Sequence, residues 1–357
     1  MGWIALAAVV VAVVAVAWSF KRSTDAVKLA VATAPSAPAN EAAEKALVHV
    51  TEQAERLARG ESPVHAGNAA RAAIESLEKV EARVKQMTDA RAHIVATERD
   101  LDRARSMYRS ILPLSSVARQ GRLFVAGSCT PAADTGGDWW TYRRLTGGRL
   151  LVVVGDATGH GVYSAMIGCA AHGAVEALSQ VGEERLTPTS VLRAINAAIR
   201  IPGADHTAMT CFAALLDPKG TIDFANASHM LPLVANCDAT GAITKVSALA
   251  TNATIDHVDD SEVIVADIRE GTQTLAPGDI VVLFTDGLTD RRDKGGRAFG
   301  HRRLQLAVTH AKNPGGEAGI AGVRDAVLAE VTTFADGVPA DDDVTIVMCS
   351  LDRQPAS

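Results

Sequence analysis

The rhythm of apolar and polar positions divides this chain into stretches of different kinds. Residues 2–20, GWIALAAVVVAVVAVAWSF, carry no charge. As a helix they extend about 28 Å, close to the roughly 30 Å hydrocarbon core of a bilayer. Trp3 and Trp18 stand near the two ends, where interfacial tryptophans are expected. No Lys or Arg precedes the run, while Lys21 and Arg22 follow it. That asymmetry disfavours a cleaved signal peptide and predicts a single-pass transmembrane helix, with the bulk of the protein on the cytoplasmic side of the inner membrane. Residues 21–40 are rich in Ala, Pro and Ser and predict a linker.

Across residues 41–112 the pattern becomes helical. Leu77, Val80, Val84, Met87, Ile94, Leu101, Ala104, Tyr108 and Ile111 recur at steps of three, four and seven, with interruptions at Arg91 and Thr97–Glu98. The stretch Gly60–Gly67 (GESPVHAG) predicts a break into two helices, and Pro113 ends the pattern. Two readings fit: an amphipathic helix covering the domain that follows, or a signalling coiled coil through which the chain forms a homodimer.

From Leu123 onward, short apolar runs take over: LFVAGS, GRLLVVVG, TAMTCFAALLD, GTIDFANAS, MLPLVAN, SEVIVADI, DIVVLFTD and VTIVMCSL. These predict strands, and helical spacing returns at Val162–Gln180, Thr189–Ile201, His301–Lys312 and Glu317–Phe334. Strands joined by short turns, with helices grouped in pairs, predict an α+β layered sandwich in place of alternating βαβ units. Residues 113–352 form this domain, and 353–357 read as a loose tail.

Composition narrows the choices. A formal charge of −6 and no basic block argue against nucleic acid as a partner. Five scattered cysteines with no C-x-x-C pair suit buried thiols in a reducing compartment better than disulfides or zinc.

The candidate chemistry is carboxylate chemistry. Leu150–Gly161, LLVVVGDATGHG, is a strand that ends in Asp156 on a glycine turn, and Ile280–Gly287, IVVLFTDG, repeats the arrangement with Asp286. Asp138 follows the glycine pair Gly136–Gly137, and Asp341–Asp342–Asp343 leads into the last strand. Carboxylates gathered at one end of a sheet repel one another unless cations neutralise them. Oxygen donors without His or Cys favour Mg²⁺ or Mn²⁺ over zinc.

From about Glu98 to Leu351 the chain resembles the bacterial SpoIIE/RsbU-type branch of the PP2C (PPM) serine/threonine phosphatases. The stretches that carry the resemblance occur in the family's order. They are AxxxxRSILP (Ala104–Pro113), PAADTGGDWW (Pro131–Trp140), LVVVGDATGHG, AMTCFAALLD (Ala208–Asp217), FANASHMLPLV (Phe224–Val234), LAPGDIVVLFTDGLTD (Leu275–Asp290), FGHRRL (Phe299–Leu304) and DDVTIVM (Asp342–Met348). The resemblance implies an αββα sandwich of two antiparallel sheets flanked by helices, with two divalent cations, Mn²⁺ or Mg²⁺, where the sheets meet. It implies Asp156 as the bridging ligand, with the Ala157 carbonyl beside it. Asp286 and Asp342 are implied as further ligands, and Asp138 as an outer position. By the same resemblance the substrate is a phosphoserine or phosphothreonine protein, a STAS-domain anti-sigma-factor antagonist.

This chain departs from the family at Ser228, which stands where Ala-Gly-His is usual, and between Leu249 and Leu275, which lacks Gly-x-Pro-Leu-Gly. His160 is a candidate general acid or an organiser of its turn. His229 reads as a structural histidine. Of Trp139 and Trp140, one belongs in the core and the other on the rim of the site. Arg291 and Arg292 meet either phosphate or solvent. The rival functions are a non-catalytic scaffold of the same fold and a hydrolase of small phosphoesters.

Overall fold

The computed structural model describes residues 63–113, 116–159, 161–183, 186–200, 208–249, 268 and 270–353. A 49-residue helix, α1 (Pro63–Ile111), opens the described chain. Proline suits its first position, where the N–H it lacks would have no partner. α1 starts inside the Gly60–Gly67 stretch where a break is expected and includes Gly67. Ile94 and Leu101 are exposed, whereas Tyr108 and Ile111 are buried. The last turn of the stripe serves as core, while Ile94 and Leu101 do not.

One expectation is corrected. The apolar run 2–20 and the linker 21–40 lie outside the described residues. Among the described residues no helix is long and apolar enough to cross a membrane. The longest, α1, is studded with Arg, Glu, Asp and Lys. The single-pass inner-membrane placement is not supported.

A compact unit begins at Asp100, within α1. It contains two sheets whose strands pair antiparallel throughout. The first sheet contains β1 (Val117–Gln120), β2 (Leu123–Thr130), β7 (Leu233–Cys237), β8 (Ile243–Ala248), β10 (Ile280–Phe284) and β11 (Val344–Leu351), in the order β1-β2-β11-β10-β7-β8. The second contains β3 (Asp138–Arg144), β4 (Leu150–Ala157), β5 (Met209–Leu216), β6 (Thr221–Ala227) and β9 (Gly271–Thr274), in the order β3-β4-β5-β6-β9.

Alternation along the strands builds the layers. Leu150, Val152 and Val154 of β4 join Val281, Leu283, Val347 and Cys349 in the core shared by the sheets. Leu151 and Val153 face the other way, into a core with α2 (Val162–Val181), α3 (Pro188–Ile199) and the end of α1. On the opposite side, Ile280, Val282, Phe284, Ile346 and Met348 pack with α5 (Gly300–His310) and α6 (Gly316–Ala335). Strands covered on both faces need apolar residues at every position, and this explains the unbroken runs LLVVV and IVVLF. The αββα sandwich is thus observed. Trp139 and Trp140 take opposite faces of β3, and both are core: Trp139 on the helix side, Trp140 between the sheets. Neither rims the site. Gly127 has no side chain because a Cβ there would lie 2.4 Å from the Trp140 ring.

The strand expected at SEVIVADI lies outside the described residues except for Ile268, which is in no strand. The polar strands β8 and β9 carry no apolar run to announce them.

Ser228 has φ of 55°, a left-handed conformation unfavourable for a residue with a Cβ. The turn is held by Asn226, whose side chain accepts from the His229 N–H and donates to the His229 carbonyl. Ser228→Gly is expected to stabilise the protein by about 1 kcal/mol and to raise its thermal midpoint by about 2–4 °C in a circular dichroism melt.

Candidate functional site

The aspartates singled out by the sequence lie on one rim of the sandwich. Asp138, at the start of β3, pairs in register with Asp156 near the end of β4. In the other sheet β10 and β11 are neighbours, with Phe284 opposite Ile346. Asp286 therefore follows β10 at the same end at which Asp342 and Asp343 precede β11. Asp286 opens a short helix, α4 (Asp286–Thr289). A hydrogen bond links the two sheets here: the Thr285 hydroxyl donates to Asp138 Oδ2 at 2.7 Å. The Thr345 N–H in turn donates to Thr285 Oγ1 at 3.2 Å.

The electrostatics register the crowding. Burial, then the charges of Asp286, Asp342 and Asp343, push the Asp156 carboxyl up to about 7. Burial and the charge of Asp156 push Asp138 well above the ordinary carboxylate range, against the opposing hydroxyls of Thr345 and Thr285. Asp286 is raised by burial, by Asp342 and by Asp290.

Asp343 has a different task. Its Oδ1 accepts the Ala132 N–H at 2.8 Å, and its Oδ2 accepts those of Gly137 at 2.7 Å and Asp138 at 3.2 Å. It holds the loop 131–137 that leads into β3. The glycines of both motifs fit around it. A Cβ on Gly136 would lie 2.0 Å from Asp343 Oδ2, and one on Gly287 would lie 2.0 Å from the Asp343 carbonyl oxygen. Gly137 lets the Ala157 carbonyl approach, since a Cβ there would stand 2.3 Å from that oxygen.

Among the described residues no three His, Cys, Asp or Glu side chains are gathered closely enough to hold an ion as they stand. The donor set nevertheless fits hard divalent cations in its chemistry. It is all oxygen, half-buried at Asp156 and Asp286, and its members repel one another until positive charge is added.

Of the other candidates, His160 lies outside the described residues, between Gly159 and Gly161, whose φ values are 86° and 91°. His229 is structural: it is buried, its Nδ1 is 2.8 Å from Thr210 Oγ1, and burial lowers it to about 4, so it is neutral near pH 7. Arg291 donates to the carbonyls of Val338 and Pro339, and Arg292 to that of Gly296, so both are occupied in fixing loops. All five cysteines are free thiols. Thr285, Asp290 and the anchoring role of Asp343 emerge from the structure. The first two had a signal in standing one residue before and four after Asp286.

Two antiparallel sheets between helices, with aspartates from both on one rim, define a PP2C-type phosphatase fold. Residues 146–352 match the family described as Stage II sporulation protein E (SpoIIE), and the chain belongs to that family. It carries a PP2C-type serine/threonine phosphatase domain. The structure is similar to the SiaA PP2C domain of Pseudomonas aeruginosa, at 26% identity and a TM-score of 0.57 over 73% of this chain and 98% of that one. It shares its fold with the RsbU and RsbW domains of Rv1364c from Mycobacterium tuberculosis, at 21% identity and a TM-score of 0.51, over 67% of this chain and 63% of that one. Protein IcfG of Synechocystis sp. (strain ATCC 27184 / PCC 6803 / Kazusa) is 22% identical over 277 residues; these make up 70% of this chain and 41% of the length of IcfG.

Two outcomes follow for stability. Asp343→Ala leaves three N–H groups without their acceptor and is expected to cost about 2–4 kcal/mol in urea unfolding, with Asp343→Asn costing less. In the absence of divalent cations, folded Asp156 keeps its proton up to about pH 7, whereas the unfolded chain releases it near the ordinary 3.8. Unfolding thus releases a proton in this window, so stability is expected to fall as pH rises from about 4 to about 7 and to level off above. Melts across that range check this, and added Mn²⁺ should flatten the curve.

Proposed function

We propose that this chain is a Mn²⁺- or Mg²⁺-dependent phosphatase that removes phosphate from serine or threonine of a small STAS-domain regulatory protein. The observation that carries the reading is the rim itself. Asp138 and Asp156 at the end of one sheet stand with Asp286 and Asp342 at the end of the other, and burial together with neighbouring carboxylates raises Asp138, Asp156 and Asp286, an arrangement costly to keep without a cationic ligand. Asp156, Asp286 and Asp342, with the Ala157 carbonyl, would hold two divalent cations, and Asp138 would serve from an outer position. Such ions, when bound, supply positive charge to phosphoryl oxygens and acidify a water molecule.

The chain's own residues supply preorganisation. Thr285 fixes the Asp138 carboxyl, Asp343 fixes the loop before it, and the strand pairing fixes Asp156 opposite. Asp138 and Asp156 are therefore held on their strands before substrate arrives, which limits the rearrangement the site needs. For the substrate class, the RsbU domain of Rv1364c shares its structure with an RsbW domain, which supports a protein partner in a signalling pathway over a free small molecule. A purely scaffolding role would leave the costly carboxylates of Asp138, Asp156 and Asp286 without a purpose.

Purified full-length protein is expected to release phosphate from a phosphorylated STAS-domain protein only when Mn²⁺ or Mg²⁺ is added, and not from free nucleotides. Asp286→Asn should lower that rate on the order of 100-fold or more. Absence of cation-dependent activity, or full activity in Asp286→Asn, would sink the reading.

A further inference from the structure

Asp138 is gripped by a residue that lies outside the aspartate rim. The Gly137 carbonyl accepts the Ala157 N–H at 3.1 Å, so it faces β4. Because backbone groups alternate along a strand, the N–H and C=O of Asp138 point away from β4, toward the outer rim of β3. β3 is an edge strand, so no further strand is available to pair with them. The N–H goes to Asp343. The carbonyl accepts a 2.7 Å hydrogen bond from the hydroxyl of Tyr108, in the last turn of α1. Cys129 Sγ lies 3.6 Å from the same oxygen and 3.4 Å from the Tyr108 hydroxyl.

Tyr108 is only 1% exposed, so its hydroxyl had to be buried against some acceptor, and a phenylalanine would fill the space without one. Neighbouring residues of α1 grip the same region. Arg105 forms an ion pair with Asp134 in the loop before β3, and Ile111 shares a core cluster with Trp139, the residue after Asp138.

We propose that Tyr108 is a positioning residue for Asp138: its hydroxyl fixes the peptide plane that follows Asp138, and so the direction from which that carboxylate meets the cation site. This rests on the proposed function, in which Asp138 serves the cations. Backbone orientation at Asp138 sets where its carboxylate points. Loss of the hydroxyl therefore acts on cation binding more than on the reaction once cations are bound.

The test compares full-length wild type with Tyr108→Phe, using Mn²⁺ titration calorimetry, the Mn²⁺ dependence of phosphatase activity and the thermal midpoint. Tyr108→Phe is expected to weaken Mn²⁺ binding roughly tenfold, as loss of an outer-shell partner does. Its activation curve should move to higher Mn²⁺ by the same factor, with the rate at saturating Mn²⁺ close to wild type. Thr187→Ala, which removes the capping box of α3, controls for destabilisation and should lower the midpoint without moving the Mn²⁺ titration. Wild-type Mn²⁺ affinity in Tyr108→Phe, with or without a lowered midpoint, overturns the positioning role and leaves the phosphatase reading intact. A wild-type chain that neither binds Mn²⁺ nor responds to it overturns the reading beneath both.

Discussion

Aspartates that share one rim of a two-sheet sandwich repel one another, and much of the surrounding architecture holds them there in spite of it. A carboxylate on a loose loop would swing into solvent and relieve the repulsion. Asp138, Asp156 and Asp286 are denied that route. Asp156 is carried by a strand paired on both sides, and Asp138 by a strand whose backbone, carbonyl and side chain each have a partner. Asp286 begins a helical turn directly after a fully buried strand. The apolar core between the sheets provides the rigidity, and the rim stores the electrostatic cost that a cation relieves.

The glycines and the aspartates of the motifs belong to one arrangement. Asp343 can reach three N–H groups of the loop before β3 only because Gly136 and Gly287 leave room for it. Of two adjacent aspartates, Asp342 thus remains on the exposed rim while Asp343 is buried as an anchor. Their chemical identity is the same, and their tasks are separated by which way the chain turns at the start of β11.

This explains what could be read from the residues and what could not. Strands buried on both faces announce themselves as unbroken apolar runs, so β4, β5, β10 and β11 were legible, as were the helices that cover them. β8 and β9 pair through backbone groups and expose polar side chains, which leaves no hydrophobic rhythm to detect. Asp156 and Asp286 stood out because each ends such a run. Thr285 and Tyr108 did not, because their roles arise from hydrogen bonds to Asp138, reached over 147 and 30 residues of sequence. The two tryptophans alternate as any strand pair must, but that both faces of β3 are covered follows only from the layered packing. The uncharged stretch 2–20 suggests a span by its length, its apolarity, Trp3 and Trp18 near its ends and Lys21–Arg22 after it, and no described helix bears out a membrane span.

The order of strands has a consequence for how the protein is made. In the first sheet β11 lies between β2 and β10, and Leu351 pairs with Leu123. As the chain leaves the ribosome, β2 emerges well before its neighbour β11, the last of the described strands. Until then the second sheet can close on itself, but the first is open through its middle, and Asp342 and Asp343 are still missing. Pairings this distant in sequence form slowly and leave strand edges exposed while they wait. The rim is therefore incomplete until the segment from Asp342 onward has been made, and a chain cut short before Asp342 would have most of the sandwich's residues and none of its finished chemistry.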